Sequence, residues 1–428
     1  MIWLVLIAVL TLALLISGFE MFLVLAVPAL LVKLVFYGKL PDPVIVQKVV
    51  GGIDHETLLA IPFFILAAEL MGQGEIAGRL TGLIKVFLGH LRGGFGYTTI
   101  GGSMAFGSVS GSAPATVAAM ANMAYPEMRK AGFSERFSLG LIVSSAETAL
   151  LIPPSITFIV YGWMTGTSIA KLFIGGLSVG IVLALTFAVL VAIESRRKGL
   201  PRGARATWPE RFEAIRRSGW AVGMPVIILG GIYSGIFTPT EAAAASVVYA
   251  VFVESIVFRT LSWSGFFNLV ERAAISTSII FILLAVGSLL AYFITLAQVP
   301  VAITAFLAEN NTGPIMFLIA VNLLFLIAGM FIDPNSALLI LIPPLFPAAV
   351  ALGIDPVHLG MIVTLNISLG MITPPFGLDI FVAASTLSKP VTTIISGITP
   401  FIIANFVALL IVTYIPEISL FLPNLLYR

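Results

Sequence analysis

Two adjacent prolines, Pro153 and Pro154, stand inside a long apolar stretch, Ser145-Ala-Glu-Thr-Ala-Leu-Leu-Ile-Pro-Pro-Ser-Ile-Thr157, where a helix would otherwise run on. Proline lacks the amide proton and its ring clashes with the preceding turn, so the helix must break here. The device recurs as Ser368-Leu-Gly-Met-Ile-Thr-Pro-Pro-Phe-Gly-Leu-Asp379. In hydrocarbon, open backbone is tolerated only where protein buries it or water reaches it. Two breaks at membrane depth therefore predict a binding site made of freed carbonyls and half-helix ends.

Membrane depth is the right frame because 59% of the residues are hydrophobic and only 10% charged, with a mean hydropathy of +1.11. Apolar runs long enough to span a bilayer, about 18 residues or more, recur along the chain. The net charge of +2 points to no nucleic acid partner. Cysteine is absent and the three histidines (His55, His90, His358) are scattered, so no thiolate, zinc or haem centre and no organic cofactor is expected. The segment 2–17 lacks a basic region before it and a cleavage site after it, and reads as a retained membrane helix. No soluble domain is visible, so ligand capture from solution falls to another chain.

The order of segments predicts an all-α polytopic membrane protein built from two inverted repeats. The first repeat, 1–198, has scaffold helices near 2–18, 20–37 and 56–73 (scaffold 1–73) and an amphipathic connector, 74–92. A re-entrant hairpin, 93–131, is interrupted at Gly107-Ser-Val-Ser-Gly-Ser-Ala-Pro-Ala-Thr116. The broken helix 135–163 and a last helix, 171–194, complete it. A basic linker, 199–217, flanked by Arg196, Arg197 and Lys198, reads as a solvated cytoplasmic connector. The second repeat, 218–428, has scaffold helices near 218–236, 240–258 and 270–297. A hairpin follows at 312–352, interrupted at Ile332-Asp-Pro-Asn-Ser-Ala337, then the broken helix 356–387 and a last helix, 391–415. Aligning Pro153 with Pro374 sets an offset of 221 that also pairs Glu20 with Glu241, Thr165 with Thr386 and Gly176 with Gly397. Five crossings and one hairpin per half invert the second half. A cytoplasmic linker then opens the second hairpin outward, consistent with the absence of Lys and Arg from Ala273 to Ser388, and places both termini in the periplasm.

The first hairpin tip offers Ser108, Ser110, Gly111 and Ser112, and the adjacent break offers carbonyls near Thr148, Leu151 and Ile152. Hydroxyl and carbonyl oxygens suit a hard cation such as sodium. The counterpart is Asp333, Asn335 and Ser336 with Ile372, Thr373 and Gly377. Small residues that simply permit close helix packing are the competing reading. An ionised side chain at the centre of a membrane helix costs roughly 2.5–3.5 kcal/mol on insertion scales. Glu147, Asp333 and Asp379 therefore stand out, and ion binding, proton carriage and helix capping are all open to them. Half-helices after Pro154 and Pro375 aim positive dipole ends at the cavity, which suits a carboxylate. Without a basic residue at that depth, backbone amides, hydroxyls and Asn366 must meet it. The turn Gly235-Ile-Phe-Thr-Pro-Thr-Glu-Ala242 reads as a structural entry to a helix, with Thr240 and Glu241 in its first turn.

That turn, the serine-rich tip 107–116, Leu151-Ile-Pro-Pro-Ser155 and Ile372-Thr-Pro-Pro-Phe376 occur in one chain and in one order. Together they resemble the large membrane subunit (DctM-like permease) of tripartite ATP-independent periplasmic (TRAP) transporters, over essentially the whole chain. The resemblance implies an ion-transporter fold and sodium-driven uptake of an organic acid, of sialic acid or C4-dicarboxylate type, across a bacterial inner membrane. It implies two partners, a small four-helix membrane subunit and a periplasmic substrate-binding protein, the former a separate chain because this one begins directly with the large subunit. Its sodium and substrate region falls on Ser103, Ser108, Ser110, Gly111, Ser112, Thr148, Leu151, Pro153 and Ser155 in the inner half. In the outer half it falls on Asp333, Asn335, Ser336, Asn366, Thr373, Pro374, Gly377 and Asp379. Many relatives have glycine where this chain has Glu147 and Thr148.

The leading expectation is elevator-type symport, in which hairpins and broken helices move against the first three helices of each repeat. The alternatives are a self-sufficient sodium/carboxylate symporter of the same fold, a channel and, remotely, an intramembrane serine protease using Ser110 or Ser112. The protease would need a base at the same depth.

Overall fold

The computed structural model describes residues 2–73 and 75–427, and among them only helices, turns and one isolated backbone bridge occur. The first half comprises α1 (Ile2–Ile16), α2 (Met21–Phe36), α3 (Asp42–Gly51), α4 (Ala60–Gln73), α5 (Ile76–Leu88), α6 (Gly94–Ser110) and α7 (Ala113–Lys130). It continues with α8 (Glu135–Ala146), α9 (Thr148–Leu151), α10 (Ile156–Thr165) and α11 (Ile169–Arg197). The second half comprises α12 (Trp208–Pro225), α13 (Gly231–Tyr233), α14 (Pro239–Phe252), α15 (Trp263–Leu296), α16 (Val299–Glu309) and α17 (Pro314–Phe331). Then come α18 (Pro334–Ala351), α19 (Pro356–Met371), α20 (Leu378–Leu387), α21 (Val391–Tyr414) and α22 (Pro416–Leu426). Seven described helical segments are long and apolar enough to cross a membrane. The bent pair of α3 with 56–72, kinked by 51°, makes an eighth.

Local chemistry sets where these helices start. Side chains of Ser134, Ser155 and Ser168 accept the first free amides of α8, α10 and α11, satisfying donors that a helix start leaves orphaned. Asp333-Pro334 and Asp355-Pro356 open α18 and α19 with an acidic cap and a proline whose missing amide costs nothing there. Thr207 with Glu210, and Thr238 with Glu241, form reciprocal capping boxes. In the second turn the cap is thus Thr238, two residues before the Thr240 expected to begin the helix.

Several sequence boundaries shift. Three short helices, α3, α16 and α22, lie outside the expected segments, in stretches punctuated by proline and glycine. The interruption expected across 107–116 shrinks to Gly111 and Ser112, and that at 332–337 to Ile332 and Asp333, because Ser112 and Asp333 cap the next helix immediately. The helix expected near 270–297 begins at Trp263, and the linker turns helical at Trp208. Helices opening at Gly94, Ala113, Glu135, Ile156 and Ile169 are matched, in the same order, by helices opening at Pro314, Pro334, Pro356, Leu378 and Val391.

The core is centred on the broken helices. In the segment Glu135–Thr165, 94% of the apolar stretch is buried by protein, against 28% for Pro314–Phe331, so the former is interior and the latter lies at the surface of the chain. Every residue of α19 from Val357 to Met371 is buried. Glycine contacts permit this density: a Cβ on Gly140 would lie 2.1 Å from the Gly397 carbonyl oxygen, where α8 crosses α21. One on Gly370 would lie 2.6 Å from the Gly329 backbone, where α19 crosses α17.

Candidate ion and substrate site

The first hairpin tip meets the first helix break. A Cβ on Gly111, whose φ is +58°, would sit 2.6 Å from the Pro154 carbonyl oxygen, and one on Gly107 would sit 2.6 Å from Ala149 Cα. The Pro153–Pro154 peptide bond is cis, as is Pro374–Pro375. Ser103 is fully buried and its hydroxyl lies 2.8 Å from that of Ser145. Ser110 Oγ lies 3.0 Å from Thr116 Oγ1 and donates to the Ser112 carbonyl at 3.3 Å. Ser108 donates to the Ala105 carbonyl at 2.8 Å, and Thr148 to that of Ser145 at 2.7 Å. Ser112 and Ser155 cap α7 and α10. These hydroxyls spend their protons or one lone pair on the backbone and keep acceptor capacity.

One expectation changes. The Thr148 carbonyl is not freed by the break, since it accepts from Ile152 N at 2.8 Å. The carbonyls of Leu151 and Ile152 receive no backbone amide among the described residues.

In the second half, Asp333 acts as a cap. It accepts from the amides of Asn335 and Ser336 at 3.0 and 3.1 Å and from the Ser336 hydroxyl. Asn335 Oδ1 is buried without a partner. Asn366 donates to Asn322 Oδ1 at 2.7 Å and to the Ile362 carbonyl at 2.8 Å, leaving its own Oδ1 unpartnered. Thr373 donates to the Leu369 carbonyl at 2.6 Å, and a Cβ on Gly377 would meet the Met371 carbonyl oxygen at 2.5 Å. Phe331, before the second tip, packs on Phe376 beyond Pro374 with ring centroids 5.2 Å apart. The two breaks also meet: Ala113 of the first tip, Leu150 before the first break and Met371 before the second form one small buried cluster.

Sequence reasoning missed Asn405. Glu147, Asp379 and Asn405 are each fully buried, on the α8–α9 junction, α20 and α21. Glu147 interacts electrostatically with Asp379 and neighbours the Asn405 carboxamide. Yet all four carboxylate oxygens and both polar atoms of Asn405 lack a hydrogen-bond partner among the described residues. An ionised acid buried without a matching cation or donor is costly, so this group either stays protonated or takes up a cation. An asparagine in the middle of an otherwise apolar helix was the available signal for it.

A serine nucleophile finds no support in the geometry. His55 caps the turn at Thr57, His90 lies near the linker, and His358 bonds Ser419 and the Thr413 carbonyl, so none of them is bonded to Ser110 or Ser112.

The chain matches the family model for the DctM component of tripartite ATP-independent periplasmic transporters over residues 6–418. It is 42% identical over 416 residues to the ectoine TRAP transporter large permease protein TeaC of Halomonas elongata, covering 97% of each. It is 41% identical to the C4-dicarboxylate large permease DctM of Pseudomonas aeruginosa, covering 87% of each. The sialic acid large permease SiaM of Vibrio cholerae is 34% identical, with 89% of each covered. Among solved structures, the Alcanivorax borkumensis YdaH transporter shares the fold at a TM-score of 0.64 and 13% identity, over 89% of this chain and 86% of that one. The chain belongs to the DctM family, the large permease subunits of TRAP transporters.

Proposed function

We propose that this large permease is a sodium-coupled importer of a small organic acid, delivered by a periplasmic binding protein and moved by an elevator-type exchange of access. The observation that carries the reading is the unequal exposure of the two breaks. The first is sealed, with Ile152 4% and Ser155 0% exposed, while Phe376 at the second is 56% exposed. A transporter caught in one state must close one side of its site and open the other. The matched order of helices in the two halves supports inverted repeats. Both termini then lie in the periplasm and the basic linker in the cytoplasm.

Coupling sodium sites are assigned to the two tips and breaks: Ser103, Ser108, Ser110, Gly111 and Ser112 with Thr148, Leu151, Pro153 and Ser155, and Asp333, Asn335 and Ser336 with Thr373, Pro374 and Gly377. Asn366 is assigned to the substrate. The buried Glu147–Asp379–Asn405 group offers two further acidic side chains to a coupling cation. Relatives are named for ectoine, C4-dicarboxylates and sialic acid, so these are the substrates to try first. The fusion DctMQ of Oleidesulfovibrio alaskensis, 36% identical and covering 94% of this chain but 65% of that one, supports a small membrane subunit as partner.

The test is uptake of labelled ectoine, succinate and sialic acid into proteoliposomes holding this chain alone, with its small subunit, or with both that subunit and the binding protein. Uptake is expected only with all three and an inward sodium gradient. Sodium-driven uptake by this chain alone would replace the reading with a self-sufficient symporter.

A further inference from the structure

The basic linker, expected to be a solvated connector, keeps its arginines exposed but rests on the rest of the chain at Leu200 to Gly203. Leu200 is only 6% exposed, and Arg202 forms an antiparallel backbone bridge with Arg92. A Cβ on Gly203 would lie 2.3 Å from the Gly89 carbonyl oxygen, so the chain at 203 lies flat on the turn between α5 and α6. This folding-back closes a pocket of about 570 Å³ lined by Arg92, Arg196, Arg202 and Arg205, together with His90 and Tyr97. No acidic side chain lines it. Among the described residues none of the four arginines makes an ion pair, although Glu194, Glu210 and Glu213 on the flanking helices are engaged elsewhere.

Four exposed guanidinium groups thus line one cavity with no counter-charge from the chain. Planar, multidentate donors of this kind match phosphate oxygens. The surroundings indicate where that anion comes from. Just after Arg205 in the chain, Trp208 and Phe212 are 80% and 70% exposed, and Arg211 stacks over Trp208 and Phe87 at 5.3 and 5.8 Å. Exposed tryptophan beside arginine is the composition of a membrane–water boundary, and basic pockets there hold anionic lipid headgroups.

We propose that this pocket is a binding site for a phosphate-bearing anion, the headgroup of an anionic phospholipid. The lipid would tie the linker, and through it the junction of the two halves, to the bilayer surface.

The test uses the assembled permease in detergent, with lipid retention read by native mass spectrometry and stabilisation read by thermal shift. Phosphatidylglycerol, phosphatidylethanolamine and inorganic phosphate are compared. Phosphatidylglycerol is expected to bind and to raise the melting temperature where phosphatidylethanolamine does not. Two lost charges, each worth a few-fold near a membrane surface, should weaken that binding about 30-fold in R202Q/R205Q. R202K/R205K should retain most of it. R92Q/R196Q, which leaves the linker sequence untouched, should match the glutamine pair. Equal stabilisation by inorganic phosphate, lost in the same variants, would support the phosphate site and move its source to solution. Unchanged phosphatidylglycerol binding in both glutamine pairs would overturn the proposal. Because uptake is not measured, the result stands apart from the transport reading.

Discussion

Gly111 and Pro154, 43 positions apart in the chain, touch so closely that a single methyl group on Gly111 would stand 2.6 Å from the Pro154 carbonyl oxygen. The glycine also has a left-handed backbone, φ +58°. A hairpin tip can approach a broken helix this closely only where neither chain carries a side chain in the gap.

Gly111→Ala should therefore be costly twice. The left-handed backbone alone is worth about 1–2 kcal/mol in a residue with a Cβ, and the contact with Pro154 must open as well. A lower melting temperature together with lost uptake is expected. Normal uptake at normal stability would show that the tip and the break need not touch.

Asp333 separates capping from ion binding. Asparagine caps a helix as well as aspartate, whereas alanine loses about 1 kcal/mol. Asp333→Asn should hold the melting temperature near that of the native chain, and Asp333→Ala should lower it. If sodium stimulation falls in the stable asparagine variant, the charge itself serves the ion; if it is unchanged, Asp333 is a cap only.

An ionised acid at membrane depth costs about 2.5–3.5 kcal/mol on the insertion scale, a cost that a neutral amide at position 147 or 379 never carries. Glu147→Gln and Asp379→Asn are expected to fold at least as stably as the native chain while needing more sodium for half-maximal uptake. Thermal unfolding and sodium titration of uptake check the two halves of this prediction. A destabilised variant with unaltered sodium dependence would make the group purely structural.

Outside the membrane, the Glu210 carboxyl is held below its ordinary range, first by the Thr207 backbone amide and then by the Thr207 hydroxyl. Its folded form thus favours the ionised state. The contribution to α12 is complete above the unfolded-state value and is lost as pH falls through the lowered folded one. Amide protection at the start of α12, taken relative to the intrinsic exchange rate at each pH, should fall in acid in the native chain and show no such fall in Glu210→Gln.

The membrane class, the two broken helices and the tips facing them were legible because proline pairs and glycine–serine clusters have only local explanations. Two kinds of feature were not. Short helices such as α3 and α16 carry the same glycine and proline punctuation as loops, and only packing decides between them. Asn405 and the linker contacts involve partners more than a hundred residues away, on the α8–α9 junction and on the turn before α6, and no local pattern reports such pairings. Asp333 belongs to the readable kind: its cap follows from the proline that comes after it.

The elevator reading makes α18 slide past the scaffold helix α15, against which it is packed: a Cβ on Gly287 would stand 2.8 Å from Leu339. Since the chain has no cysteine of its own, a G287C/L339C pair can be cross-linked selectively. Cross-linked permease, assembled with its partners in proteoliposomes, should lose sodium-driven uptake and regain it on reduction. Full uptake with the link intact would contradict motion of the hairpins and broken helices against that scaffold.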